Sequence, residues 1–245
     1  MKLLVAVLFL GLGFFAHADS FPTRIDISYS IRSGAMEGEA NDTLEIKQEN
    51  GVRSYAISSA IRAIGLLALV QSGNILRDSV GTVTKQGLQP GHFSDQRRDK
   101  LPRIAIFDWE KNLLTINNRG NEQQKPLPAG TQDRLSMLYS FAFFPSPPDG
   151  VIDMHETDGR TLKRVRYSVD KETLDTPIGK LETIVLTKQL EMDDKLYRKI
   201  WLAPAYYMLP VRIVATESDL LLDQMVTKIS YADAGALRLE LELLH

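Results

Sequence analysis

The chain contains no cysteine in its 245 residues. That excludes disulfides, thiol nucleophiles, zinc fingers, iron–sulfur ligation and a lipid-modified N-terminal cysteine. Histidine is scarce as well. Of the four, His17 and His245 lie at the two ends, which leaves His92 and His155 as candidate bases. No charge of one sign dominates: 29 basic residues face 31 acidic ones, a formal net of −2. A nucleic-acid-binding protein normally carries a clear basic excess, so no nucleic-acid partner is expected. Long apolar runs are missing except at the N-terminus. What remains, 44% hydrophobic and 24% charged, is the composition of a globular protein.

The one apolar run is an address. Lys2 supplies a positive start, Leu3 to Phe15 is almost wholly apolar, and Ala16-His17-Ala18 is the small–x–small pattern of a signal-peptidase site. The run falls short of the roughly 17–25 residues that cross a bilayer as a helix. The expectation is a signal peptide over residues 1–18, cut after Ala18, and a single exported β-rich domain over residues 19–245. Retention of the segment as an anchor is the alternative. Without the leader, 28 basic and 31 acidic residues remain, and no transmembrane segment is expected in the mature chain. The expected location is the bacterial periplasm.

Beyond the leader, alternation dominates. Ile25, Ile27, Tyr29 and Ile31 sit two apart with polar residues between them, the signature of a half-buried strand. Turn signals then recur: Ser33-Gly34, Asn50-Gly51, Ser72-Gly73-Asn74, Glu110-Lys111, Asp158-Gly159 and Asp193-Asp194. Strands are expected from Ile75 to Lys85, Arg103 to Trp109, Asn112 to Asn117, Val151 to His155 and Leu162 to Val169. Further strands are expected from Leu181 to Leu190, Tyr197 to Leu202, Val211 to Thr216, Leu222 to Tyr231 and Ala236 to Leu244. Ile61 to Val70 reads as a buried strand or a short helix, and Arg119 to Pro128 as a polar linker.

One segment breaks the pattern. Thr131 is placed to cap a helix, Asp133 to sit in its first turn, and Pro145 to end it. Leu135, Met137, Leu138, Tyr139, Phe141, Phe143 and Phe144 cover most of its circumference. A helix apolar on most sides must be buried on most sides. The fold class expected is therefore mainly β (α+β): a strongly curved antiparallel sheet or half-barrel wrapped around one buried helix. A helix lying flat on one sheet face is the alternative.

At this segment the sequence resembles a known bacterial family. Thr131-Gln132-Asp133-Arg134-Leu135-Ser136-Met137-Leu138-Tyr139 is similar to the central motif of the domain of unknown function 3108 family. Gly87-Leu88-Gln89-Pro90 resembles its glycine–leucine–x–proline turn, and Phe107-Asp108-Trp109 its phenylalanine–aspartate–tryptophan strand end. Thr176-Pro177-Ile178-Gly179, Trp201-Leu202-Ala203-Pro204 and Leu209-Pro210-Val211-Arg212 match its later segments. The resemblance implies an exported protein and no particular activity. A second resemblance, over Trp201 to Arg212 and the expected architecture, is to periplasmic lipoprotein carriers, whose half-open barrels hold acyl chains. Those carriers have several lid helices, and this chain shows one.

Catalytic constellations are thin. No glycine–x–serine–x–glycine elbow occurs. Asp153, His155, Glu156 and Asp158 are metal-ligating residue types, but their spacing does not fit a calcium loop, so no metal and no cofactor are expected. Gln96-Arg97-Arg98-Asp99-Lys100 and Leu162-Lys163-Arg164-Val165-Arg166 are the dense basic clusters, readable as solvated surface or as contacts to anionic head groups. Trp109, Tyr139, Phe143, Trp201 and Tyr206 read either as core or as the lining of an apolar pocket. Arg134 stands near a helix start, where the dipole disfavours a cation. Its expected compensation is an ion pair with Asp108 or Asp133, or an anionic ligand group. These six residues are the candidate ligand-binding set.

The expected function is a non-catalytic binding or interaction module. Its partner would be a lipid-like or other amphipathic envelope ligand, or an envelope protein. The alternatives are an envelope hydrolase using carboxylates with His92 or His155, and a structural partner without a small-molecule pocket. A ligand-sized cavity between helix and sheet would discriminate among them.

Overall fold

The computed structural model describes residues 21–64, 74–190, 197–217 and 220–232. The leader, Leu66 to Val70, Asp193-Asp194 and the strand expected at Ala236 to Leu244 lie outside the described residues.

The first half is a meander: β1 (Arg24–Ser33), β2 (Met36–Glu49), β3 (Val52–Ala63), β4 (Ile75–Thr84), β5 (Gly87–Arg97), β6 (Arg103–Asp108), β7 (Leu113–Asn118) and β8 (Asn121–Pro126). A short strand, β9 (Gln132–Asp133), and a short helix, α1 (Ser136–Ser140), come next, and a 3-10 turn over Phe141–Phe143 extends the helix. The second half is again a meander: β10 (Val151–Thr157), β11 (Leu162–Thr176), β12 (Gly179–Lys188), β13 (Arg198–Ala203), β14 (Leu209–Glu217) and β15 (Leu220–Ala232).

All of these strands join one sheet. Its order runs β8 to β1 in reverse, then β15 back to β9. β1 and β15 pair antiparallel and so fuse the two meanders into one surface. Every pairing is antiparallel except the short parallel one of β9 with β10. The sheet does not close by strand pairing, because β8 and β9 are its two edges. It curves until β9 returns to β5, where Gln132 Nε2 donates to the Leu88 carbonyl at 2.7 Å.

Period-two patterning drives this. Ile25, Ile27, Tyr29 and Ile31 are all buried along β1 while the residues between them stay half-exposed. That single inward row fixes register, since a one-residue slip would send every ring and branch to solvent. Inside the curve, Met137 and Phe141 pack in one cluster with Ile184, Leu186, Ile200 and Leu202 from β12 and β13. Tyr139 and Leu135 join the larger cluster with β1, β2 and β5. The expected architecture, a curved antiparallel sheet around one buried helix, is what the chain adopts.

Two local expectations need correction. The helix is much shorter than Thr131 to Phe144. Thr131–Asp133 stays extended, because Gln132 and Asp133 pair with Glu156 and Thr157 of β10. The helix front is instead capped by Asp133, whose Oδ1 accepts the Leu135 and Ser136 N–H groups, both at 2.8 Å. At the other end Phe144 is extended (φ −74°, ψ 145°), as a residue preceding proline prefers. The segment Arg119 to Pro128 is not a linker. Most of it is β8, a polar and largely exposed edge strand. An edge pairs on one side only, so solvent-facing Asn, Glu and Gln suit it.

Gly87-Leu88-Gln89-Pro90 likewise opens β5 rather than forming a free-standing turn. Gly87 has φ +108°, and a Cβ there would lie 2.5 Å from the Phe144 ring and from Ser140 Oγ. Pro90 pairs with Gly81 at a register shift, where a missing N–H is tolerated.

Candidate functional site

β1, β3, β5, β7, β10, β12 and β14 all end at one rim of the curved sheet. The segment from Thr131 to Phe144 runs down its interior from that end. At the far end Phe143 packs at a tilt on Phe21, with ring centroids 4.6 Å apart, and Tyr207 meets Phe21 edge-on at 5.3 Å. This aromatic group fills the far end. The strand ends Arg97, Asn118 and Lys188 stand at the near end.

Two cavities lie there. The larger is about 560 Å³, within the range of small-molecule sites. Its walls bring together Arg97, Arg103, Arg134, Arg160, Lys163, Lys188 and Arg198. Among the described lining residues the carboxylates are Glu156 and Asp158, and Asp95 beneath them pairs with Arg97. The smaller cavity, about 60 Å³, is lined mainly by Ile61, Ile75, Leu135, Leu138, Ile213 and Leu222, with Asp42, Arg77, Arg134 and Arg198 among them. Arg134 and Arg198 line both, so the two cavities share a wall.

The fold places each cation. Arg97 ends β5 and pairs with Asp95 at 2.9 Å. Arg77 on β4 reaches the same carboxylate at 3.2 Å. Burial alone would raise the Asp95 pKa, but Arg97, Arg77 and Arg134 outweigh it and bring it down to about 2. Arg198 opens β13 and holds Glu156 at 2.7 and 2.8 Å. The same guanidinium meets the Tyr167 hydroxyl at 3.2 Å. Arg160 binds Asp158 at 2.7 Å on the β10–β11 turn. Arg103 differs from these. Its Nε is buried without a hydrogen-bond partner among the described residues. Burial, together with the charges of Arg160 and Arg97, lowers its pKa against the opposing pull of Asp95.

Beneath the mouth lies a buried polar core. Tyr55 donates to Ser79 Oγ at 3.0 Å, and Ser79 donates to Asp133 Oδ2 at 2.6 Å. Burial pushes the Asp133 pKa up to about 6, although Ser79 and the helix-front amides restrain it. Tyr139 donates to Asp42 Oδ2 at 2.5 Å. Asp42 Oδ1 is buried without a partner among the described residues. Burial raises the Asp42 pKa too, against the opposing pull of Ser59, Tyr139 and Arg77.

The six candidate residues are dispersed. Arg134 stands in the mouth. Neither carboxylate expected beside it is its partner in the contacts described: Asp108 pairs with Lys111 at 2.8 Å, and Asp133 is engaged by Ser79 and two amides. Arg134 instead lies near enough to Asp95 to help hold its pKa down. Tyr139 is buried on Asp42. Phe143 is in the far aromatic group, with the Arg53 guanidinium 5.8 Å from its ring. Trp109 donates to the Pro90 carbonyl at 2.6 Å. Trp201 lies on the β13 face opposite Ile200 and Leu202. Its indole donates to Glu172 at 3.1 Å, and Lys199 and Arg212 approach its ring at 4.6 and 4.8 Å. Tyr206 is half-buried in the turn before β14.

His92 and His155 line neither cavity. Asp153, Glu156 and Asp158 each pair with a different arginine. Among the described residues no three metal-ligating groups converge. In the sequence, Arg97 and Lys163 stand out only as members of two basic clusters. Those clusters sit at strand ends on the same side of the meander, which is the one signal the site offers beforehand. Arg103, Arg160, Lys188 and Arg198 carry none.

The fold and site define a class: an open, curved antiparallel sheet, plugged by one short helix, with a basic mouth. The family model "Protein of unknown function (DUF3108)" matches residues 24–219, and the chain belongs to that family. Among solved structures, the chain is similar to "Beta-barrel-like Protein of Domain of Unknown Function DUF1849 from Brucella abortus". The TM-score is 0.52 at 8% identity, over 86% of this chain and 99% of that one. At that identity the likeness concerns the fold alone. No curated protein matches the chain. Among the described residues, no helix is long and apolar enough to cross a membrane.

Proposed function

We propose that this protein is a non-catalytic binding module of the bacterial periplasm, formed by a single domain after removal of residues 1–18. Its near end takes an amphipathic, acidic envelope ligand. One observation carries the reading: a cavity of about 560 Å³, whose described lining is rich in Arg and Lys, shares a wall with an apolar cleft. The acidic head occupies the basic cavity. The cleft, at about 60 Å³, accepts the first few carbons rather than a whole acyl chain. Arg134, which contacts both spaces, orients the ligand at the junction. The leader-like residues 1–18 support the location.

Organic-solvent extraction of the purified protein, followed by mass spectrometry, tests the reading. Titration with a fluorescent fatty-acid probe accompanies it. A co-purifying acidic amphiphile, or saturable probe binding weakened by Arg134→Gln, is expected. Ligand-free protein that also ignores the probe would overturn the reading.

A further inference from the structure

A polar row crosses the inner face of the first meander. Asp42, Ser59, Arg77 and Asp95 stand opposite one another in register from β2 to β5. The Asp95 end of the row is satisfied, because Arg77 and Arg97 hold that carboxylate. The Asp42 end is only half satisfied. Tyr139 donates to its Oδ2 at 2.5 Å, while Oδ1 has no hydrogen-bond partner among the described residues. Asp42 is only 3% exposed, so bulk water does not serve that oxygen. A buried acceptor left unmet costs free energy, and such atoms are rare in folded proteins.

A partner for that oxygen has a place to stand. Asp42 lines the smaller cavity, with Ser59 beside it and Ile61, Leu135 and Leu138 among the aliphatic walls. At on the order of 10–15 Å³ for each water-sized group, about 60 Å³ admits a few carbons and one polar atom. The chemistry asks for a hydroxyl rather than an ammonium. Burial favours the neutral form of Asp42, and a cation would need the charged one. A hydroxyl suits both forms, since it donates to a carboxylate and accepts from a carboxylic acid. A plain alkyl chain fits the walls but leaves Oδ1 unmet.

We infer that the smaller cavity is a hydroxyl-recognising subsite, and that the ligand is a hydroxylated acidic amphiphile whose hydroxyl, on one of the first carbons beyond the head, meets Asp42 Oδ1. This rests on the acidic-amphiphile reading above and narrows its ligand class. Arg134 lines both cavities, which places the two subsites next to each other.

Calorimetric titration of the full mature chain with decanoate, 2-hydroxydecanoate and 3-hydroxydecanoate is the direct test. At least one hydroxy acid is expected to bind about fivefold or more tightly than decanoate, since the buried oxygen is met in one complex and left unmet in the other. Asp42→Val paired with Tyr139→Phe removes both the carboxylate and the phenol that donates to it. In that paired variant the preference is expected to shrink to within about twofold. Should the variant fail to fold, the comparison of the three acids on the unaltered chain decides. Equal affinities there assign Oδ1 to an ordered water and overturn the inference. A preference that persists undiminished in the folded variant overturns it too. If the fatty-acid probe binds and hydroxylation confers no preference, the hydroxyl inference falls and the amphiphile reading stands. If neither the probe nor any of the three acids binds, both fall.

Discussion

Asp133 does three things at once. It pairs through its backbone with β10, caps α1, and takes the hydroxyl of Ser79 across the interior. Its pKa of about 6 in the fold lies above the ordinary 3.8. The native state therefore keeps a proton that the unfolded chain has released, and stability falls as pH rises from about 4 to about 6. A shift of about two pH units corresponds to on the order of 3 kcal/mol. Asp42 acts in the same direction. Asp95 acts oppositely, its stabilising share being lost below about pH 4 as pH falls towards 2. Asp133→Asn keeps the amide acceptor, and Ser79 can turn to accept from the new NH2. Denaturant melts between pH 4 and 7 should show that variant with a flatter profile than the parent. An unchanged slope would refute this assignment. Tyr139→Phe strips Asp42 of its phenol donor and should cost about 1–3 kcal/mol, read as a lower urea midpoint.

At the scale of elements, the interior segment and β5 depend on each other. Ser140 Oγ accepts the Leu88 N–H at 3.1 Å, and Gly87 leaves no room for a Cβ beside Phe144. Gly87→Ala is strained both by its φ of +108° and by that contact. It should destabilise by several kcal/mol and lower the melting temperature sharply. A melting temperature within a degree or two of the parent would contradict the packing described. Phe141→Ala removes a buried ring and should cost about 3–5 kcal/mol by chemical denaturation. Most strands were legible in the sequence, because Ile25 to Ile31 and their like alternate cleanly. The helix was legible in place but not in length. Its apolar periodicity runs from Leu135 onwards, yet Gln132 and Asp133 are drawn into an extended pairing with β10 that no local signal announces. β8 was illegible for the opposite reason: an edge strand exposed on both faces carries no alternation to read.

At the scale of the whole molecule, the candidate site was only partly legible. Arg134 stood out because a cation near a helix start asks for compensation. The basic mouth did not, because its residues come from six separate segments with ordinary local surroundings. Arg97 and Lys163 lie 66 positions apart, and Arg198 is 35 beyond Lys163. Only curvature of the sheet brings them around one space. The near-neutral overall charge hid this, since a net charge of −2 says nothing about where the cations gather. The missing cysteines also acquire a structural meaning. Without disulfides, the open sheet is held by its interior segment and by the seam between β1 and β15.

The central claim is the proposed binding of an acidic amphiphile beside Arg134, and the thermal transition of the intact chain tests it most directly. A ligand at about 100 times its dissociation constant stabilises by about 2.7 kcal/mol. For a chain of this size that should raise the melting temperature by about 5–10 °C. The account predicts such a rise with increasing fatty-acid probe at fixed ionic strength, and its reduction in Arg134→Gln. A melting temperature that does not move with the probe, or that moves equally in the variant, would contradict it.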